Sequence, residues 1–142
     1  MTRRRQRGRG QALVEFALVL PIFLLMMMAV FDLGRMIYMY NGVAEAAREL
    51  ARVTSVHPGL PGVLGSTSET AAVLATQKGL IPSLGNPTFT CVDIDGSSAA
   101  AICKAGMQVR VVIVAPYAPV TPILSLIGTV NLKSSSTFSI QQ

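Results

Sequence analysis

The chain has 142 residues, the length of one small domain with an appendage, and it is 51% hydrophobic but only 13% charged. Its net charge of +5 comes from five arginines within residues 1–10, whereas residues 10–142 carry seven basic and seven acidic side chains. A neutral body, and an arginine arm without interleaved aromatic residues, make nucleic acid the weaker interpretation of this basic arm, so we expect no nucleic-acid partner.

An apolar segment of twenty residues follows the arm, from Ala12 to Phe31, and its only formal charge is Glu15. Twenty helical residues span about 30 Å, which matches the hydrocarbon core of a bilayer. We therefore predict a transmembrane helix at residues 11–31 of a single-pass cell-membrane protein. Arginines beside such a segment stay in the cytoplasm, so the N-terminus is expected inside and the C-terminal domain outside. Pro21 should kink or locally unwind the helix.

The helical pattern continues over residues 32–53, an extracytoplasmic extension of the same helix. Apolar residues alternately four and three positions apart predict its packed face: Leu33, Ile37, Tyr40, Ala44, Ala47 and Ala51. The opposite face carries opposite-charge pairs at i,i+3, and we expect it to be solvated: Asp32–Arg35, Glu45–Arg48 and Glu49–Arg52.

Residues 54–142 are predicted to form a small extracytoplasmic α+β domain. His57 is expected in a solvated Pro/Gly loop, after which Ser66 and Glu69 have capping-box spacing and Gly79 is placed as a C-terminal cap of a short helix. Period-two, β-branched patterns then predict three strands, in "TFTCVDI", "MQVRVVIVA" and "TVNLKSSSTFSI". The proline-rich "PYAPVTPILSLIG" should be a crossover with a short helical turn. The predicted fold is α+β: a long N-terminal helix, membrane-spanning in its first half and amphipathic in its second, then a short helix and a small antiparallel sheet.

Two cysteines lie beyond the apolar segment. An oxidising compartment would allow a Cys91–Cys103 disulfide, and the alternative is two free buried thiols. No CxxC spacing or catalytic set of side chains is present, so we expect no metal, no cofactor and no enzyme activity. Asp93 and Asp95 are interpreted as solvated turn residues rather than as part of a calcium loop, because the later bidentate acid is missing.

A cut between Gly10 and Gln11 would remove the basic leader, residues 1–10, and make Glu15 the fifth residue, followed by Phe16. This arrangement resembles the class III signal of type IV pilins. Together with "GQALVEFALVLPIFLL" and "FDLGRMIYMYNGVAEAARELAR", it resembles the TadE-like family, pseudopilins of the tight-adherence (Tad or Flp) pilus machinery. The resemblance is specific over residues 8–52 and loose thereafter.

The resemblance implies a minor pilin that is processed by prepilin peptidase and takes part in pilus assembly and surface adhesion. The implied partners are other pilins and pseudopilins, an inner-membrane assembly platform and the lipid bilayer. Glu15 would neutralise the N-terminal amine of a neighbouring subunit. The alternative is an uncleaved single-pass anchor that displays a binding or adhesive domain, with Glu15 at the headgroup level, where the helix dipole favours an acid.

Overall fold

The computed structural model describes residues 5–58, 64–97, 103–104, 106–126 and 128–140. The start of the predicted leader, part of the Pro/Gly loop and most of the turn before Cys103 lie outside the described residues. The elements follow in the order α1 (Arg5–Val56), α2 (Ser68–Leu80), β1 (Thr88–Val92), β2 (Gln108–Tyr117), α3 (Pro122–Ser125) and β3 (Val130–Ser139). The predicted α+β fold, with its long helix, short helix and three strands, is therefore confirmed.

Helix α1 has 52 residues and is continuous through Pro21. Of the two predicted effects of Pro21, a kink or local unwinding, the unwinding does not occur. At 1.5 Å per residue the helix is about 78 Å long. None of the residues in its most apolar stretch is buried by the rest of the described chain. The helix is long and apolar enough to cross a membrane, and its apolar part does not serve as the core of the folded part.

The face of α1 that packs agrees with the predicted one only near the end of the helix, where Ala47 and Ala51 are buried. Leu33, Ile37 and Tyr40 are half-exposed or more, and the buried residues begin one position earlier in the pattern: Asp32, Val43, Ala46, Ala47, Leu50, Ala51 and Thr54. The prediction was wrong over residues 33–40 because this stretch is apolar around most of its circumference. Met36 and Met39 continue the buried stripe with the same four-and-three spacing, so the spacing alone could not select between adjacent stripes.

The three strands form an antiparallel sheet in the order β1-β2-β3. Alternate residues of the central strand β2 are buried, and both β2 and β3 pack against α1. Helix α2 packs on α1 as well. These elements share one core of buried apolar residues: Val43, Ala46, Ala47, Leu50, Ala51, Ile81, Leu84, Val109, Val111, Ile113, Ala115 and Ile140. We call this packed part of the chain, from Asp32 onward, the body.

The caps of α2 differ from the predicted ones. Thr67 is the N-cap in place of Ser66, and its hydroxyl oxygen accepts from the Thr70 amide at 3.2 Å. Gly79 lies inside the helix, which continues until the Ile81 amide donates to the Gln77 carbonyl oxygen at 2.9 Å. Ile81 is buried in the core, and burying it requires this last stretch of helical backbone.

The crossover, residues 118–129, connects the two long strands β2 and β3. It contains the short helix α3, as predicted, but β2 extends through Pro116 to Tyr117 before the crossover begins. Proline cannot donate to a strand partner. Its place near the end of β2 is tolerated because β1 pairs with β2 only as far as Val112, so Pro116 has a strand partner on one side only.

Candidate functional site

The predicted processing residues lie on the exposed surface of α1. Gly10 and Gln11 are helical and exposed. A Cβ atom added to Gly10 would meet no other atom within 4 Å among the described residues. Glycine inside a helix costs about 0.5–1 kcal/mol relative to alanine. Packing within the described chain does not explain why a glycine, with this cost to the helix, occupies position 10.

Glu15 and Phe16 are also exposed, among neighbouring apolar side chains that pack on nothing in the described chain. None of the salt bridges between described residues includes Glu15. The acid lies ten residues after the start of α1 at Arg5. It is therefore well beyond the first helical turn, where the dipole of this helix favours an acid.

A second polar centre lies where the apolar segment of α1 ends, and the sequence pattern missed it. Asp32 follows Phe31 directly and is only 4% exposed. Its carboxylate accepts hydrogen bonds from the Thr121 amide at 2.7 Å and from the Val120 amide at 3.0 and 3.1 Å. The Tyr117 hydroxyl donates to the Asp32 carbonyl oxygen at 2.7 Å. The expectation that Asp32 lies on a solvated face was therefore wrong.

The crossover explains why an acid is buried there. Pro119 and Pro122 lack N–H groups and keep this segment out of regular ladders, so the amides of Val120 and Thr121 need an acceptor from elsewhere. A carboxylate can accept both. Hydrogen bonds from Thr121, and then from Val120 and Tyr117, lower the pKa of Asp32 from 3.8 to about 2. The acid is thus ionised at neutral pH and fixes the crossover to α1.

We call the contact of Asp32 with Tyr117, Val120 and Thr121 the junction, and Arg35 completes it from the solvent side. A guanidinium nitrogen lies 3.6 Å from the Asp32 carboxylate, which agrees with the i,i+3 pair in the sequence. The same guanidinium stands 5.5 Å from the centre of the Tyr117 ring, in cation–π range. Burial raises the pKa of Tyr117, so its hydroxyl remains a donor. A groove of about 200 Å³ adjoins the junction and is lined by Asp32, Leu33, Met36, Tyr117, Pro119, Leu124 and Val130.

In the comparison with known proteins, residues 10–52 match the family model described as TadE-like protein. This segment is TadE-like. It begins at Gly10 and includes Gln11, Glu15, Phe16 and Asp32, so the family suspected from the sequence is confirmed there. No curated protein and no solved structure matches the chain.

The other two predicted ion pairs of the TadE-like segment are present on its exposed surface. Arg48 lies 3.6 Å from Glu45, and Arg52 donates two hydrogen bonds to Glu49 at 2.6 and 3.0 Å. The Arg52 contact lowers the pKa of Glu49. Such exposed pairs contribute little stability, so these residues are interpreted as a solvated face.

His57 lies beyond the end of α1 and is exposed, as expected of a solvated loop residue, and it also contacts Glu69. Its Nδ1 lies 2.6 Å from a Glu69 carboxylate oxygen, although about half of each side chain remains exposed. The contact joins the end of α1, just beyond the TadE-like segment, to the first turn of α2. The sequence shows these residues twelve positions apart across a loop, with no periodic signal to pair them.

The cysteines, far from the TadE-like segment in sequence, form the predicted disulfide. Cys91 on β1 is bonded to Cys103, with the two Cα atoms 5.4 Å apart, so the alternative of two free thiols is wrong. Asp93 and Asp95, in the turn between them, are exposed. Asp95 accepts from the Ser97 amide and hydroxyl at 3.0 and 2.8 Å, which lowers its pKa and matches the predicted turn role.

Proposed function

We propose that this chain is a minor pilin, or pseudopilin, of a Tad/Flp-type pilus or secretion system. Prepilin peptidase cuts it between Gly10 and Gln11, and the mature chain takes part in pilus assembly and surface adhesion. The observation that carries the proposal is the TadE-like match, which starts at Gly10 and holds Glu15 five residues after the cut in an apolar helix. The role is structural and not catalytic.

Gly10 supports the cut because no packing within the described chain requires a glycine there. A peptidase must bring its active-site backbone close to the bond that it cleaves, and a side chain at this position would obstruct that approach. The need for glycine at this position therefore comes from the enzyme that binds the leader.

The apolar half of α1 supports assembly because the body leaves it wholly unburied. Before assembly this surface is covered by the bilayer, and afterwards by the helices of other pilins. An uncleaved anchor would also need the bilayer, but it would need neither Gly10 nor Glu15.

Glu15 supports a contact between subunits. After cleavage the α-amine of Gln11 is a positive charge at the start of an apolar helix, and Glu15 is a negative charge one turn later. In a helix bundle that excludes water, each group needs an opposite charge. Pairing Glu15 with the amine of a neighbouring subunit satisfies both and fixes the axial register. The dipole alternative lacks this support, because Glu15 lies far from the start of the uncleaved helix.

The test compares Glu15→Gln with Glu15→Asp and with a matched control, Glu45→Gln, in cells that hold the whole pilus system. Glu45 is an acid of the same helix on the exposed face of the body. Removing one partner of a buried charge pair costs about 3–5 kcal/mol, enough to exclude a subunit from a bundle. Glu15→Gln should be cleaved and as abundant as the wild type, yet should no longer co-purify with other pilins, and Glu15→Asp should be intermediate.

The control Glu45→Gln should be cleaved and assembled like the wild type. If Glu15→Gln is cleaved, stable and fully competent for assembly, Glu15 does not set the register. The acid would then be a headgroup-level residue, as in the anchor interpretation.

A further inference from the structure

The crossover presents bare apolar side chains at one end of the body. Val120 is 63% exposed and Leu126, directly after α3, is 87% exposed. Residues 118–129 include no charged side chain at all. Large exposed apolar side chains in an uncharged segment indicate a surface that is covered by something apolar.

Asp32 fixes the level of this segment relative to the end of the membrane span. It is the first residue after the apolar run that ends at Phe31, and it accepts the amides of Val120 and Thr121 at 2.7–3.1 Å. The crossover is thus held within hydrogen-bond distance of the point where the span ends. Half-exposed Leu33 and Val130 continue the apolar surface into the adjoining groove.

We propose that the crossover is a membrane-contacting foot, inserted into the headgroup and acyl boundary of the leaflet on the side of the body. Interfacial segments of this kind sit about 5–10 Å into that boundary. The foot gives the chain a second lipid contact beside α1 and fixes the tilt of the body on the bilayer. The proposal depends on α1 spanning a membrane, and it does not depend on the pilus role.

Lipid is favoured over a protein partner because the surface is continuous with the membrane-spanning part of α1. Arg35 also stands at this level, with its guanidinium beside Asp32 and about half of its side chain in solvent. Arginine at the edge of an apolar segment is suited to phosphate headgroups.

The far end of the sheet supplies a matched control. Ile94 is 78% exposed, comparable with Leu126, but it lies between Asp93 and Asp95. Its end of the sheet holds the Val92–Gln108 pair, whereas Tyr117 ends β2 at the crossover. Ten strand residues at about 3.4 Å each separate the two ends by roughly 30 Å. A side chain at Ile94 should therefore stay in water.

The chain contains no tryptophan, so one introduced tryptophan is a unique fluorescent reporter. Four full-chain variants are reconstituted separately into phosphatidylcholine–phosphatidylglycerol vesicles, with or without brominated acyl chains: Leu126→Trp, Val120→Trp, Ile94→Trp and Phe31→Trp. The crossover reporters should emit further to the blue than Ile94→Trp and should be quenched by brominated lipid. Bromine near the headgroup should quench them more than bromine at the chain end. Phe31→Trp, in the span itself, should be quenched strongly.

Quenching of both crossover reporters no greater than that of Ile94→Trp would overturn the proposal. So would a blue shift without quenching, since that result places the crossover against protein. An unquenched Phe31→Trp would overturn it through the span, and that failure would be distinguishable from failure of the pilus role because cleavage and pilin co-purification are measured independently.

Discussion

The Cys91–Cys103 disulfide closes a loop with a sequence separation of 12 residues, and opening it should destabilise the body. Strand β1 has five residues and pairs with β2 at the edge of the sheet, so the bridge supplements a short ladder. In the chain-entropy model a loop of this size stabilises the folded state by about 3 kcal/mol. Cys91 is buried and Cys103 packs against the core, so reduction to thiols changes the constraint while leaving the packing atoms in place.

The assay is urea unfolding of the full chain in detergent micelles, monitored by hydrogen exchange of the β2 amides. A helical signal would not report the transition of the body, because α1 remains helical in detergent. With a urea dependence of about 1–1.5 kcal/mol per molar, the midpoint should fall by about 2–3 M on reduction. The double variant Cys91→Ala, Cys103→Ala should be at least as destabilised as the reduced protein, because it also removes the two packed sulfur atoms, and reductant should not change it further. A fall of less than about 0.5 M, or an equal effect of reductant on the double variant, would refute this reasoning.

Three further predictions concern the junction and the glycines. Asp32→Asn keeps the shape but removes the charge, so the crossover amides that it binds should exchange faster with deuterium; unchanged exchange would count against the junction. Since the folded pKa of Asp32, about 2, lies below its ordinary 3.8, its stabilising contribution is complete above pH about 4 and is lost as the pH falls towards 2. Acid titration of the urea midpoint should show this loss in the wild type and less of it in Asp32→Asn. Gly85→Ala places a Cβ 2.5 Å from the Val114 carbonyl oxygen and should lower the free energy of unfolding by about 1–3 kcal/mol. Gly79→Ala, in open space inside α2, should raise the free energy of unfolding by about 0.5–1 kcal/mol in the same unfolding measurement.

Local patterns predicted the parts of the fold that depend on local chemistry. The alternation of β2, the short helix of the crossover and the helical apolar run before Phe31 were predicted correctly, whereas β2 continues through Pro116, which was expected in the crossover. The disulfide followed from the cysteines and their expected compartment.

The errors arose where a residue depends on partners far away in sequence. Asp32 is buried because its carboxylate accepts hydrogen bonds from two backbone amides, and these amides lie 88 and 89 residues later in the chain. Its charge alone led to the prediction of a solvated residue. The packed stripe of α1 was misplaced over residues 33–40, because that helix is also apolar on surfaces that the body does not cover, whereas Ala47 and Ala51 were placed correctly. Gly79 was expected to end α2, but the buried Ile81 extends the helix past it. Such contacts have no local period by which a pattern could reveal them.

The N-terminal residue of the protein recovered from cell membranes tests the central claim most directly. Mass spectrometry of the chain from cells that possess prepilin peptidase should find Gln11 at the N-terminus and none of the five leader arginines. In cells that lack the peptidase the leader should remain. A mature chain that begins at Met1 or Thr2 in peptidase-containing cells would contradict the pilin assignment and favour the uncleaved anchor.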